Sequence, residues 1–334
     1  MDVTRNEFHD LVGAYALDAL DPEEAAAIDV FIAENADAAA EVERLRDAAA
    51  WLGAVGALKP PVALRDRLLA AAAEHDDPLP PVEALRRETA RFEALLDSLD
   101  AADLHTETFN GLNVRDLVAH VAIVDEAFVG ESGTGEFGPA GTWPFIGADA
   151  VATMTGAELP ATAGWSFPQV RDRWRRARQA LVDLDAQLPA DTRLGGYSLS
   201  SVLVIRAFET WTHHHDIAIA VGRAEEPVAA PVMRTMAELA VQTLPIALAA
   251  KGYEFPGRTA RVVLTGPGGG DWTIACTGRE AAGTVPDVVL RAPVNEFCQR
   301  FADRLAVDAV PFVTDGDADL GRALVDAAPA FAGL

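Results

Sequence analysis

Apolar residues recur every three to four positions through most of the first 225 residues, which is the spacing of amphipathic helices. Asp21-Pro22-Glu23-Glu24 supplies an N-cap, a proline at the first helical position and acidic residues in the first turn, so a helix is predicted from there to about Leu45. A further amphipathic helix follows Pro60-Pro61, and the acidic, proline-rich segment 74–84 reads as a linker. Residues 1–75 are therefore predicted to form a small helical module.

Four longer helical patterns lie between residues 82 and 225, and four helices of this length are typical of a bundle. A glycine-rich, aromatic stretch, residues 130–145, separates the second pattern from the third. A loop this long inside a compact domain is either mobile or shapes a site.

The pattern changes after residue 226. A helix is predicted near residues 230–250, followed by short β-branched runs bounded by glycine, proline and aspartate, which are typical of antiparallel strands, and by two more helices. Residues 226–334 are thus predicted to be a small α+β domain. The overall fold class is mainly α. The "GPGGG" turn joins two predicted strands and lacks the Lys-Ser/Thr of a nucleotide-binding loop.

Charge and composition narrow the possible partners. The 334-residue chain has a formal net charge of −24, which argues against direct binding to nucleic acid or to an anionic membrane surface. The N-terminus lacks a signal-peptide pattern, and no apolar run is long enough to span a bilayer. The two cysteines are too few for a disulfide framework, so a cytoplasmic location is expected. The oligomeric state stays open.

The stretch "FETWTHHHDIAIAVG" carries the most distinctive chemistry. Glu209 and His213 are four residues apart in a helical context, and Asp216 follows three residues later, so all three project from one helix face. His214 and His215 point elsewhere on the helix and are interpreted as solvated.

A third metal ligand would have to come from another helix, and His120 is the candidate. It lies among apolar residues on the second long helix, which Asn113 can cap and in which Asp116 is the third helical residue. Two histidines and a glutamate suit zinc with an open fourth position. The alternative is that His120 binds no metal and is only a hydrogen-bonded residue of the core.

The basic residues on the third long helix allow two interpretations of their function. Arg173 and Arg176 are candidates for an anion pocket, but a solvated helix face is the favoured interpretation.

The motifs "NVRDLVAHVAIVDEAF" and "AFETWTHHHDIAIAVG" resemble the metal-binding domain of the mycothiol-dependent maleylpyruvate isomerase family, a DinB-like four-helix bundle. The resemblance implies metal ligation by His120, Glu209 and His213, with Asp216 and Asp116 supporting the ligands. It also implies zinc or another divalent metal and a low-molecular-weight thiol, mycothiol, as cofactors. Coordination would stabilise the thiolate as the nucleophile. No residue is assigned a catalytic role.

The resemblance continues into the C-terminal domain, with departures. Before the first motif, this chain has Leu112 where the family usually has Trp. Where the family usually has Trp-Gly-Arg, this chain has Ala302-Asp303-Arg304. Arg304 keeps a guanidinium that suits a substrate or thiol carboxylate. The cysteines have no required role and are interpreted as small buried hydrophobic residues.

The N-terminal module resembles the sigma-binding module of anti-sigma factors, most closely in "LVGAYALDALDPEEAAAID". The zinc ligands of some members are replaced by Phe31, Asn35 and Ala38, so the helices should be held by packing alone. The resemblance implies a sigma factor bound through apolar helix faces of residues 1–75. The alternative is a helical appendage that packs on the bundle or mediates dimerisation.

Two functions follow from these resemblances. The first is a cytoplasmic transcription regulator that binds a sigma factor and senses metal or thiol. The second is an active isomerase or S-transferase that uses a metal-bound thiolate. The substrate cannot be identified from the sequence.

Overall fold

The computed structural model describes residues 4–17, 19–56, 77–108, 111–133, 148–225, 227–276 and 285–331. The chain divides into two compact units, Met1–Arg67 and Leu68–Leu334. The helix predicted after Pro60-Pro61 and most of the glycine-rich stretch 130–145 lie outside the described residues.

The N-terminal unit contains helices α1 (Arg5–Ala16), α2 (Pro22–Glu34) and α3 (Ala36–Gly56). The single helix predicted from residue 22 to Leu45 is therefore two helices. The break falls at Asn35, whose side-chain amide donates to the Phe31 carbonyl and whose backbone N–H donates to the Ile32 carbonyl. These bonds close the last turn of α2 with the tighter spacing common at helix ends.

The three helices of this unit share a small hydrophobic core. Its buried members are Phe8, Val12, Tyr15, Ile28, Ala38 and Val42. Phe31 stacks on Phe8 with ring centroids 5.1 Å apart. Phe31 and Ala38, two of the positions at which the sequence lacks zinc ligands, thus contribute to packing.

The second unit begins with the predicted four-helix bundle. Its helices are α4 (Pro81–Asp97), α5 (Val114–Glu131), α7 (Phe167–Gln187) and α8 (Leu199–Ala220), and the shorter α6 (Ala148–Glu158) packs on α5. A two-stranded hairpin, β1 (Arg193–Leu194) and β2 (Tyr197–Ser198), precedes α8. α5 packs against α7, and α4 packs against α8.

Both apolar and charged side chains fill the bundle. Trp174 meets Phe92 edge to face at 5.1 Å. Asp125 of α5 accepts hydrogen bonds from Arg178 of α7 and Arg206 of α8, each with a nitrogen–oxygen distance of 2.8 Å. All three charged side chains are almost completely buried. This buried ion cluster, Asp125, Arg178 and Arg206, ties three helices together.

The C-terminal part contains α9 (Ala230–Ala250), α10 (Val294–Phe301), α11 (Ala318–Ala327) and a four-stranded sheet. The strands are β3 (Thr259–Thr265), β4 (Gly270–Ala275), β5 (Val288–Pro293) and β6 (Val313–Gly316), in the order β4-β3-β5-β6. β3 pairs antiparallel with β4 but parallel with β5, whereas antiparallel strands were expected.

The predicted glycine turn joins β3 to β4 and packs on α9. Gly268 has φ +81°, and a Cβ at this position would lie 2.5 Å from the Ala230 carbonyl oxygen. The glycine therefore permits both the turn and the close approach of the helix.

One continuous hydrophobic core extends from Val82 of the bundle to Ala328 beyond the sheet. The predicted bundle, residues 82–225, and the predicted α+β domain, residues 226–334, therefore lie in one compact unit. A mainly α fold with a C-terminal α+β region is confirmed. Among the helices of the described residues, none is both long and apolar enough to cross a membrane.

Candidate metal centre

Helix α5 carries His120 into the bundle. Asn113 caps the helix as predicted, because its side chain accepts a hydrogen bond from the Asp116 backbone N–H at 2.9 Å. His120 is partly buried, and its Nδ1 lies 2.8 Å from the Thr155 hydroxyl on α6. This contact leaves Nε2 as the nitrogen available to an ion.

Helix α8 places Glu209, His213 and Asp216 on one face, as their spacing predicts. The buried His213 lies between the two carboxylates, with Nδ1 at 3.0 Å from Asp216 and Nε2 at 3.2 Å from Glu209. The Nε2 atom is buried and makes no hydrogen bond that satisfies normal geometry. Asp216 thus orients the imidazole and directs Nε2 toward Glu209.

The two candidate histidines come together across helices. The rings of His120 and His213 meet edge to face with centroids 5.4 Å apart. In the described part of the chain, however, no group of three or more His, Cys, Asp or Glu side chains is already arranged to hold an ion. The donor types and the unpartnered Nε2 of His213 fit a divalent metal, and the ligand roles are a proposal taken up below.

The electrostatics of the site differ between the two histidines. Burial, together with nearby His213 and Arg206, lowers the pKa of His120 to about 3. Burial alone would also lower the pKa of His213, but the adjacent carboxylates of Asp216 and Glu209 outweigh it and raise that pKa. The first imidazole is therefore neutral, whereas the carboxylates beside the second favour its protonated form.

Arg304 reaches this site from the C-terminal part. Its guanidinium donates two hydrogen bonds to Asp216, from Nε at 2.8 Å and from Nη2 at 2.7 Å. Burial alone would raise the pKa of Asp216, but Arg304 and His213 lower it to about 2. Arg304 thus binds the carboxylate of Asp216, whereas the sequence predicted a substrate or thiol carboxylate as its partner. Asp303 just before it has φ +57°, a left-handed backbone conformation that glycine adopts more readily.

Asp116, predicted to support the ligands, has a different position. Its carboxylate pairs with Arg115 on the first turn of α5, one helical turn before His120. The contacts of the described residues thus connect it to an arginine rather than to an imidazole.

The interpretation of His214 and His215 as solvated needs correction. His214 is 8% exposed, and both histidines contact Glu225, His214 at 3.2 Å and His215 at 2.5 Å from Nδ1 to oxygen. Burial alone would raise the pKa of Glu225, but the two histidines lower it to about 2. Together the three residues fix the end of α8 to the loop beyond it.

Arg173 and Arg176 do not form an anion pocket. Arg173 donates two hydrogen bonds to Glu126, at 2.8 and 2.6 Å, whereas Arg176 is exposed. The favoured interpretation, a solvated helix face, therefore holds for Arg176. Arg173 instead forms an ion pair with Glu126.

Both cysteines are buried, as expected. Burial raises the pKa of Cys276 to about 11 and raises that of Cys298 as well. Neither thiol is activated for nucleophilic chemistry.

An apolar cavity lies on the Glu209 side of the site and has a volume of about 330 Å³. Its walls come from the β1–β2 hairpin, α8, α9 and the end of α10. Its large apolar residues are Ile205, Phe208, Leu239, Ile246 and Phe301. The cavity gives a small molecule access to the face that carries the proposed ligand Glu209.

Comparison with known proteins defines the family. Residues 85–218 match the profile of the "Mycothiol maleylpyruvate isomerase N-terminal domain". Two Mycobacterium tuberculosis proteins, "Uncharacterized protein Rv0036c" and "Uncharacterized protein MT0041", are each 30% identical in an alignment of 212 residues that covers 59% of this chain and 77% of theirs. The chain belongs to the mycothiol maleylpyruvate isomerase-like family. The resemblance seen in the sequence motifs is therefore confirmed.

Among solved structures, the chain is similar to the mycothiol-dependent maleylpyruvate isomerase and to a histidine-to-alanine mutant of it. The two have 18% and 17% sequence identity and a TM-score of 0.43, and each comparison covers 70% of this chain and 91% of the other. The family profile begins at residue 85, so the anti-sigma resemblance of residues 1–75 stays a prediction.

Several residues around the site were missed by the sequence reasoning. Thr155 follows a stretch with no periodicity, and Glu225 lies beyond the helix end. Asp125 and Arg206 did leave a signal, because each is a lone charge within an apolar helical run. Opposite lone charges on neighbouring buried helices are expected to pair.

Proposed function

We propose that the bundle binds one divalent metal ion, most suitably zinc, through His120, Glu209 and His213, and presents it to a low-molecular-weight thiol such as mycothiol. The observation that supports this most directly is the buried, unpartnered Nε2 of His213, which faces Glu209 and adjoins the His120 ring. Two imidazoles and a carboxylate are a donor set typical of zinc sites with one open position.

The surrounding residues would prepare these ligands. Thr155 and Asp216 engage the Nδ1 atoms of His120 and His213 and so direct both Nε2 atoms inward. A bound divalent metal would supply Lewis acidity that favours the thiolate form of a thiol at neutral pH. The protein's own cysteines have no part in this chemistry.

The proposal is tested by metal analysis of the purified full chain after equilibration with zinc. We expect about one zinc per chain in the wild type and in His215→Ala, and loss of zinc in His213→Ala and His120→Ala. Asp216→Asn should weaken zinc binding by about 10- to 100-fold, because it orients rather than ligates. Equal zinc retention in His213→Ala and His215→Ala would refute the ligand assignment.

We further propose that residues 1–75 bind a sigma factor, which makes the protein a cytoplasmic regulator whose bundle senses metal or thiol. Supporting observations are the independent core of the N-terminal unit and two exposed apolar side chains, Leu17 and Val30, which are 66% and 62% exposed. Exposed apolar residues on a helical unit suit helix-face recognition.

Affinity capture of the full chain from its native cells tests this role. A sigma subunit should co-purify with the wild type and be lost with Val30→Asp, whereas the matched control Val313→Asp, also exposed, should retain it. Absence of any sigma subunit, or its retention by Val30→Asp, would contradict the regulator.

The alternative is an active isomerase or S-transferase, which the cavity beside Glu209 favours. In that case the sulfur of the thiolate forms a bond to an electrophilic carbon of the substrate. For an isomerase this bond breaks again after isomerisation and releases the thiolate. For an S-transferase the bond remains as a thioether, and the displaced leaving group departs with its electron pair. Turnover that requires both zinc and thiol, and is lost in His213→Ala, would establish the enzyme.

A further inference from the structure

We propose that the apolar cavity beside Glu209 binds an uncharged ligand with an apolar body. The site would then act on, or respond to, electrophiles with an apolar body. The identification of this ligand as the reacting partner rests on the proposed function, but its binding to the cavity does not.

The floor of the cavity is apolar and held firmly. Ile205 and Phe208 of α8 are 9% and 4% exposed. The Phe208 ring contacts Trp211 at a centroid distance of 5.4 Å and Phe301 of α10 at 5.0 Å. A floor fixed from two sides is preformed, and the volume of about 330 Å³ falls within the range of small-molecule sites.

Charges are few on the cavity wall. Among its described lining residues the charged side chains are Glu209, whose side chain is 17% exposed, and Arg193, which is exposed. Ser198 and Ser201 add hydroxyls that lie 2.8 Å apart and bond to each other. In the metal-free chain, a ligand carboxylate placed deep in the cavity would meet the carboxylate of Glu209 and no buried cation among the described lining residues.

The entrance extends the apolar surface to solvent. Ile246 of α9 lines the cavity and is 61% exposed, and the lining residue Arg193 is exposed as well. The arginine could neutralise one negative charge at the rim. In the metal-free chain, the second charge of a dicarboxylate would remain without a partner inside, so dianions are disfavoured there.

Binding can be measured on the metal-free full chain with N-phenyl-1-naphthylamine, an uncharged fluorophore whose emission rises in apolar surroundings. We expect saturable binding and displacement by 1-butanol, 1-hexanol and 1-octanol, with affinity rising about fourfold per methylene. Dicarboxylates of equal chain length should need at least about tenfold higher concentrations, because burying an unpaired charge is costly.

Two variants that fill the cavity localise the site. Leu239→Trp and Ala302→Trp each add volume at its lining and should weaken fluorophore binding by about tenfold or more. Ile219→Trp is the matched control, since Ile219 is 64% exposed and does not line the cavity. Circular dichroism establishes that each variant is folded.

Stronger binding of dicarboxylates than of alkanols, or wild-type affinity in both folded cavity variants, would overturn the proposal. Absence of saturable fluorophore binding to the wild type would do the same. Because zinc is absent from the assay, these outcomes are independent of the metal proposal. Conversely, a protein that binds the fluorophore but no zinc would refute the proposed metal function and leave the apolar site intact.

Discussion

The buried ion cluster allows a sharp test of what stabilises the bundle. Asp125 is the carboxylate that Arg178 and Arg206 share, and all three side chains are at most 3% exposed. Arg178 also donates to the hydroxyls of Thr89 on α4 and Thr210 on α8 at 2.8 and 2.9 Å. The substitution Asp125→Asn keeps the shape but leaves two buried guanidinium groups without a counter-charge.

The expected cost follows from that imbalance. Removing one partner of a buried ion pair typically costs about 3–5 kcal/mol, because the remaining charge stays desolvated. Three guanidinium nitrogens, Nη2 of Arg178 and both Nη of Arg206, already have no hydrogen-bond partner in the described structure, so little local compensation exists. We therefore expect the free energy of unfolding to fall by about 3–5 kcal/mol and Tm to fall by roughly 6–20 °C.

Urea unfolding followed by tryptophan fluorescence measures this loss, since Trp174 lies 5.7 Å from the Arg178 guanidinium. Asp172→Asn is the control, because its 68% exposed side chain makes a surface ion pair and should change stability by less than about 0.5 kcal/mol. Replacing Asp125, Arg178 and Arg206 together by leucine and two methionines should restore most of the lost stability. The reasoning fails if Asp125→Asn costs less than about 1 kcal/mol or if the triple variant is no more stable than it.

Three further predictions concern pH, backbone and thiols. Folding lowers the pKa of Glu225 from 4.5 to about 2 and raises that of His215 from 6.5, so the stability difference between wild type and Glu225→Gln should be largest from about pH 4.5 to 6.5. It should shrink as pH falls toward 2 or rises through the folded His215 pKa, and a constant difference in Tm across this range would contradict the ion-pair account. Asp303→Gly should preserve or raise Tm, whereas Asp303→Val should lower it by disfavouring the positive φ, and equal Tm values for both would exclude backbone strain at this residue. Cys276 and Cys298 should react with a disulfide reagent only after unfolding, and rapid labelling of the folded chain would show that the thiols are accessible.

Much of the fold could be predicted from local patterns. The helices followed from apolar periodicity, and the strands β3, β4 and β5 followed from short β-branched runs between turn residues. The parallel pairing of β3 with β5 was not predictable in the same way, because strand direction depends on how the intervening chain crosses the sheet. The break at Asn35 was missed because the apolar spacing continues across it.

The candidate site was predictable in part. Helical spacing alone placed Glu209, His213 and Asp216 on one face. The predicted bundle made His120, a lone imidazole on an apolar helix, their candidate partner, and the family motifs implied the same residue. The pairing of Arg304 with Asp216 joins residues 88 positions apart, and no local pattern specifies such a contact. Glu225 was missed for a related reason, since the chain reverses after α8 and returns the carboxylate to two histidines that appear solvent-facing on a helical projection.

The contact between Arg304 and Asp216 also has a consequence for biosynthesis. The 88 residues that separate the two partners are translated over about 4–18 s at bacterial rates of roughly 5–20 residues per second. During that interval the nascent bundle holds Asp216 without its guanidinium partner. A ribosome-bound chain that stops before residue 304 should therefore expose a less ordered end of α8 than the released protein does.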